Sequence, residues 1–538
     1  MTVDISRRIG AVMALEPAAP AIAQDGHWRS WGDLTALGGQ VTDLTRDIPQ
    51  DAAVGLVARN DVAIVACLLD LFARGRAALT LDPLQSDSSL AAEIVALRPA
   101  FVLLIRSDWE REGIADVVRE AGTRAIVVEC GTVPRAEIVE KGESVATGGP
   151  GEAGEYCRLS AGCAVSLKTS GTTGPPKRIE ISYASLSASI TAVQKHHGSR
   201  SESEVALRPG VTIQMLALAH TSALQSLCVT VADGRQLVLM ERFDPTAWAK
   251  VVRDYKVVTT GVPPAGIRMV LDAGVDPSWL QSLKSIRAGA APLDPAVADE
   301  FLERFGVPVL SAYGATEFQG LASWTLKDYR RYAATKKGAV GRVHPGVEVR
   351  VVDTTSNEVL PTGGVGILEV RTEQSSRGEP REWIQTSDLA RYDEDRFLWI
   401  LGRVDGAINR GGFKVDAAEV ARVLREHPQV GDAAVVGAPD RRLGEVPVAV
   451  VQPKPGGSVP EEAELKAWVR ARLEPYKVPT VIVGLEAIPQ TIAMKPDKRA
   501  ILARLGYSPD GEARDTEDGK GSLDPSRVRA TEASGSAS

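Results

Sequence analysis

Residues 167–182 read LKTSGTTGPPKRIEIS. Thr169, Ser170, Gly171, Thr172, Thr173 and Gly174 set four hydroxyls and two glycines in six positions, and Lys177 follows. Small residues let backbone N–H groups close on a polyphosphate, hydroxyls donate to its oxygens, and lysine adds positive charge. The run does not match GxxxxGK[ST], which excludes a P-loop kinase or GTPase. A Ser/Thr-Gly linker has a similar composition. A linker, however, is not followed at once by Lys177-Arg178 and the alternating strand pattern RIEIS.

Outward from this loop, short β-branched runs alternate with amphipathic stretches. AVGLVA (53–58), AFVLLI (100–105) and AIVVEC (125–130) read as strands, and VAIVACLLDLFARG (62–75) as a helix stopped by Gly75. The rhythm returns in QLVLM (236–240), the helix DPTAWAKVVRDY (244–255) and VVTTGVPP (257–264). Such alternation predicts α/β layers with largely parallel sheets. Residues 143–162 read as a connecting loop, and 338–372 as a small antiparallel β-subdomain of short strands divided by Gly and Pro. Residues 404–505 read as a separate small α+β domain, in which Asp416 and Glu419 are placed to form a capping box. After residue 505 the chain is polar, Gly/Ser-rich and expected to be disordered. The expected organisation is therefore a large N-terminal domain of layered α/β subdomains with a small β-subdomain (1–403), a small mobile C-terminal domain (404–505) and a tail (506–538).

A chain of 538 residues is too long for one core. Its net charge of -7 gives no electrostatic reason to bind nucleic acid. Cys67, Cys130, Cys157, Cys163 and Cys228 are scattered without a CxxC pair, which suits a reducing, cytoplasmic setting. The N-terminal residues lack an apolar run with a cleavage site, so no signal peptide is expected. Residues 211–232 carry no formal charge, but His220, two Gln and several Ser/Thr interrupt them. A buried strand and helix is the better reading than a membrane span.

Further chemistry-bearing residues follow in order. RAGAAPL (287–293) leads into SAYGATEFQG (311–320), where Tyr313 can stack on a purine, Thr316 donate to a phosphate and Glu317 hold a hard cation. In WIQTSDLARYDEDRFLWILGRVDG (383–406), the Asp388 carboxylate can accept two ribose hydroxyls and Arg403 can meet ribose or phosphate. In INRGGFKVDAAEV (408–420), Gly411 and Gly412 make either a plain turn or a backbone along which a narrow ligand passes. IPQTIAMKPDKRA (488–500) carries Lys495, with Lys498 close by.

These five motifs, in this order and over roughly residues 10–505, resemble the adenylate-forming superfamily: acyl- and aryl-CoA ligases, peptide-synthetase adenylation domains and firefly luciferase. The resemblance implies ATP, Mg²⁺ and coenzyme A as cofactors. TSGTTGPPK would be the phosphate loop; Gly289, Ala290, Ala291, Tyr313 and Gly314 would line the nucleotide site; Thr316 would contact the α-phosphate and Glu317 ligate magnesium. Asp388 would hold the ribose, Asp405 would be the hinge of a swinging C-terminal domain, Gly411 and Gly412 would line a pantetheine tunnel, and Lys495 would be the catalytic lysine of adenylation. The chain departs from the family pattern at Ser387, Arg396 and Gly406, and at Gln490 and Met494, where Arg and Gly are usual.

His220 matches the residue that closes the family's acyl pocket; a histidine in an apolar run is otherwise a core residue. With Ser222, Val262, Gly289, Ala290, Gln319 and Gly320 as small or weakly polar lining, the expected substrate is an apolar fatty or simple aromatic acid. The implied partners are that small-molecule acid and CoA; oligomer formation is open. A stand-alone adenylation enzyme serving a separate carrier protein is the first rival. A non-catalytic nucleotide-binding scaffold is the second, and Glu317, Asp388, Arg403 and Lys495 together speak against it.

Overall fold

The structure, a computed structural model, describes residues 4–140, 143–144, 156–169, 177–198, 205–290, 293, 295–376, 382–403, 407–454, 457–489 and 496–507. These fall into two compact units, one ending at Arg403 and the other starting at Ala407.

In the first unit, the uninterrupted apolar runs become strands buried on both faces, as parallel strands under helices must be. Val54–Val57, Ala78–Leu81 and Phe101–Leu104 are buried at every position. They lie parallel in the middle of an eight-stranded sheet whose edge is the hairpin Cys163–Thr169/Lys177–Ser182. Helix Val62–Ala73 is capped by Asp61, whose carboxylate accepts from Ala63 N–H (2.8 Å), and Gly75 at φ +69° follows its end. The uncharged stretch near residue 220 divides as its polar interruptions predict, into strand Val211–Gln214 and helix Thr221–Ala232. Among the described residues no helix is long and apolar enough to cross a membrane.

The short strands after residue 338 form the expected antiparallel β-layer, with a core of its own around Leu321, Val343, Leu368, Val370 and Leu398. Gly341–Val343, Val347–Val352 and Val365–Thr372, with Ile384–Tyr392 and Phe397–Arg403, continue the same nine-stranded sheet as the parallel strands Thr259–Gly261, Ser285–Ala288 and Val309–Ala315. The joint is the antiparallel hairpin Val309–Ala315/Gln319–Ser323. Sequence pattern marks the change from parallel to antiparallel but not that hydrogen bonding runs through it.

In the second unit, long strands Val430–Asp440 and Gly444–Pro453 pair antiparallel beside the hairpin Ile408–Arg410/Phe413–Val415, and Val481–Gly484 adds in parallel. Helix Ala417–Arg425 covers the sheet through Val420, Val423 and Leu424. Only half of the expected capping box forms. Asp416 accepts from Ala418 N–H (2.8 Å), but Glu419 turns instead to the buried ammonium of Lys477 (2.6 Å), which Glu474 also meets at 2.9 Å. A buried ammonium needs paired carboxylates more than a helix N-terminus needs a second cap.

Candidate active site

The strand hairpin that carries the loop of residues 170–176 is held by charge. Arg178 donates to the Thr80 carbonyl (2.8 Å) and to Glu93 (2.8 Å), and Lys168 to Gln85 (3.1 Å) and Glu93 (3.4 Å). One largely buried carboxylate thus fixes two cations flanking the loop's base. Lys177 is exposed and lines a cleft of about 300 Å³ with Arg178, Ile179, Glu180 and Ser376. Ser170, Gly171, Thr172, Thr173, Gly174, Ala291, Asp405 and Lys495 lie outside the described residues, and Thr169 and Arg403 are placed only as strand ends.

Across from this hairpin, the turn between Val309–Ala315 and Gln319–Ser323 presents Thr316 and Glu317. Gly314 is required there: a Cβ would stand 2.2 Å from the Gln319 carbonyl oxygen. Ser376 clasps the turn, its N–H and hydroxyl donating to the Glu317 carbonyl (3.0 and 2.9 Å) and its hydroxyl also to the Thr316 carbonyl (3.2 Å). The Thr221 hydroxyl donates to Thr316 Oγ1 at 3.0 Å, so the first residue of helix Thr221–Ala232 meets the turn, with His220 as N-cap beside it. Burial pushes the His220 imidazole pKa below its ordinary value against the opposing charge of Asp82, and the ring is neutral at pH 7.

Tyr313 and Asp388, expected to serve base and ribose separately, touch. The Tyr313 hydroxyl donates to Asp388 Oδ2 at 2.5 Å, and its ring leans on Phe318 at 6.0 Å. Asp388 is 8% exposed, its backbone N–H donates to Thr386 Oγ1 (3.1 Å), and it pairs across the hairpin with Arg403. Hydrogen bonds thus join Thr221, Thr316, Glu317 and Ser376 around the turn, and another joins Tyr313 to Asp388 on the strand that leads into it. Ser376 was missed by sequence reading, because a serine in QSSRG carries no signal.

The residues expected as acyl lining differ in exposure. Ser222 and Ala290 are exposed, and Gly289 and Gly320 half-buried. Val262 and Gln319 are not lining. Val262 (2% exposed) packs in the core against Gly266 and Phe243, where an apolar side chain gains most from burial. Gln319 (2% exposed) has φ +56°, which turns its amide inward to donate to Ser185 Oγ (2.7 Å) and the Gln374 carbonyl (3.1 Å). Polar residues that were not expected stand nearby in the fold: His196 and His197 end helix Tyr183–His197, His344 follows strand Gly341–Val343, and Arg287 lies on strand Ser285–Ala288. The His196 ring nitrogen Nε2 donates to the Ser323 carbonyl (2.9 Å), Ser323 Oγ pairs with His344 Nε2 (2.9 Å), and the His196 and His344 rings stand 4.4 Å apart. Burial, with Arg287 and the other imidazoles, lowers His197 to about 2; burial, then His196, lowers His344 to about 3.

In the second unit, Gly411 (φ +60°) and Gly412 (φ +98°) are the two central residues of a tight hairpin turn. Positive φ at both positions is what a two-residue hairpin of the primed type demands, so the turn alone accounts for this glycine pair.

The sequence profile of the AMP-binding enzymes matches residues 11–378, and that of the AMP-binding enzyme C-terminal domain matches residues 419–495. The chain belongs to the AMP-binding enzyme family. This AMP-binding enzyme is 32% identical over 346 residues to 4-coumarate–CoA ligase-like 9 of Arabidopsis thaliana, covering 62% of the chain and 60% of that relative. It is 28% identical over 489 residues to 4-coumarate–CoA ligase-like 3 of Oryza sativa subsp. japonica, covering 85% and 80%. The match thus spans three-fifths of the first relative's length and four-fifths of the second's. Among solved structures, the amide bond synthetase McbA from Marinactinospora thermotolerans superposes with a TM-score of 0.76 at 27% identity, over 93% of this AMP-binding enzyme and 99% of that chain. The adenylate-forming superfamily resembled by the five motifs is the one these relatives represent.

Proposed function

We propose that this AMP-binding enzyme is an AMP-forming carboxylic acid:CoA ligase. The observation that carries the reading is the convergence of Tyr313, Thr316, Glu317 and Asp388 beside the hairpin that carries the phosphate loop. In the first step a carboxylate oxygen attacks the α-phosphorus of ATP, the bond to pyrophosphate breaks, and acyl-AMP forms. Tyr313 offers a face for adenine, Asp388 accepts the ribose hydroxyls, and Thr316 donates to the α-phosphate. Residues 170–174 and Lys177 take the β- and γ-phosphates, and Lys495 stabilises charge at the transferring phosphoryl group. Among the described residues no three metal-ligating side chains cluster. Glu317 as a single carboxylate would hold a Mg²⁺, and the ion would supply charge neutralisation to the phosphates.

In the second step a thiol sulfur attacks the mixed anhydride, the C–O bond to AMP breaks, and the thiol proton leaves to solvent. Coenzyme A as acceptor is supported by the CoA-ligase relatives, and Gly411 and Gly412 are the residues proposed to line its pantetheine arm. McbA, an amide bond synthetase by name, makes an amine the acceptor to test beside it. Pyrophosphate release across a panel of acids, with CoA, with amines and with neither, checks the reading. Release with acid alone and acyl-CoA only with CoA is the expected result. Product with an amine but not CoA would transfer this chain to the amide-forming class. Lys495→Ala should abolish release yet still convert supplied acyl-AMP to acyl-CoA.

A further inference from the structure

Strand Lys177–Ser182 runs straight into helix Tyr183–His197, where Ser182 is the N-cap and accepts from Ser185 N–H (3.0 Å). The buried Ser185 hydroxyl donates to the Gln374 carbonyl (2.5 Å) and accepts from the buried Gln319 amide (2.7 Å). That amide donates to the Gln374 carbonyl as well (3.1 Å), so the three residues form a closed triangle. Two of its corners hold the nucleotide turn. Gln319 closes the turn by pairing with Ala315, and Gln374 lies two residues before Ser376, which holds the Thr316 and Glu317 carbonyls.

The same helix is fastened again at its other end. His196 Nε2 donates to the Ser323 carbonyl (2.9 Å), and Ser323 Oγ pairs with the buried His344 Nε2 (2.9 Å). Between these ends Gln225 of helix Thr221–Ala232 donates to Ser189 Oγ and packs on Gly320, where a Cβ would stand 3.3 Å from its amide. From Ser185 to His196 the helix advances about 16 Å at 1.5 Å per residue, and from Gln319 to Ser323 the strand advances about 13 Å at 3.3 Å per residue. Helix Tyr183–His197 and strand Gln319–Ser323 therefore run side by side in one direction, stapled near both ends.

The staple at Gln319 is unfavourable taken alone. A φ of +56° strains a residue that carries a side chain, and glycine would hold the same backbone freely. The Gln319 and Gln374 amide oxygens are also buried without a hydrogen-bond partner among the described residues. Strain that the surroundings enforce gathers where geometry matters to chemistry. We infer that Gln319 and Ser185 are positioning residues for acid activation: through them helix Tyr183–His197 acts as a splint that sets the Thr316–Glu317 turn against the strand following the phosphate loop. The inference rests on the acid-activating reading above. Tyr313 and Asp388, proposed to hold adenine and ribose, take no part in the triangle, so the splint governs alignment of the reacting groups and not capture of the nucleotide.

The test compares the two staples. Gln319→Gly removes the amide and relieves the backbone, Ser185→Ala removes the hydroxyl, and His196→Ala frees only the far end. Gln319→Gly and Ser185→Ala should each lower kcat for pyrophosphate release by about 30-fold or more while the KM for ATP moves by less than about 3-fold. The double variant should be no slower than the slower single one, since both cut one connection. His196→Ala should lower the thermal midpoint and leave kcat within about 3-fold of the wild type. No loss of kcat in Gln319→Gly, or a loss that merely follows the thermal midpoint in all three variants, would overturn the inference while leaving acid activation intact. Hydrogen exchange reads the same coupling without activity. The amides of Phe318 and Ser376, bonded to the Ala315 and Glu317 carbonyls, should exchange about 10-fold or more faster in Gln319→Gly and at the wild-type rate in His196→Ala. Unchanged exchange in Gln319→Gly rejects the splint. No pyrophosphate release from the wild type with any acid would instead sink the activating reading, and the exchange rates would still accept or reject the splint. Should Gln319→Gly fail to fold, Ser185→Ala carries both measurements.

Discussion

Tyr313 and Asp388 illustrate what single residues here must do twice. The buried Asp388 carboxylate takes the Tyr313 hydroxyl as donor at 2.5 Å. A nucleotide whose ribose uses the same oxygens has to displace that bond. Tyr313→Phe should therefore bind ATP at least as tightly as the wild type by calorimetry, while losing about 1–3 kcal/mol of stability as a buried charge gives up a donor. Weaker ATP binding in that variant would show that the hydroxyl helps the nucleotide rather than competing with it. Residue types in order were enough to suggest both side chains, because an aromatic and a carboxylate are chemically distinctive. Their mutual bond was not legible, since 75 positions separate them.

At the scale of elements, the hairpin Val309–Ala315/Gln319–Ser323 is the part on which the proposed chemistry hangs. Gly314→Ala places a methyl 2.2 Å from the Gln319 carbonyl, so one strand must move away from the other. The expected outcome is a loss of about 100-fold in pyrophosphate-release rate, the usual effect of shifting reacting groups by about an ångström. Thermal unfolding should fall by only about 1–3 kcal/mol. Near-normal release from that variant would mean that Thr316 and Glu317 need no exact placement. Strands and helices themselves were well marked in the sequence, as the apolar runs at 54–57 and 101–104 show. Side-chain direction at element ends was not: Gln319 swings inward on a left-handed backbone, and Glu419 leaves its cap for Lys477. Both choices are made by distant partners and not by neighbours in sequence.

For the whole molecule, the histidines set a pH dependence. The unfolded chain binds protons on His197 and His344 below about pH 6.5, whereas the folded chain refuses them until about 2 and about 3. More protons on the unfolded state means that stability rises with pH across this window and is lost as pH falls through it. His344 should contribute about 1.4 kcal/mol per pH unit between about pH 6 and 3.5. In His344→Gln, the slope of unfolding free energy against pH should drop by that one-proton amount; an unchanged slope would mean that His344 is protonated in the fold. The sheet that joins these parts has one more consequence. The match to the AMP-binding enzyme profile ends at residue 378, but strands Ile384–Tyr392 and Phe397–Arg403 lie in the interior of the nine-stranded sheet. Cutting the chain at 378 would split that sheet and bare the edges of Gly341–Val343 and Val365–Thr372, open templates for pairing with other chains. The unit of inheritance and the unit of solubility thus differ by the width of one hairpin.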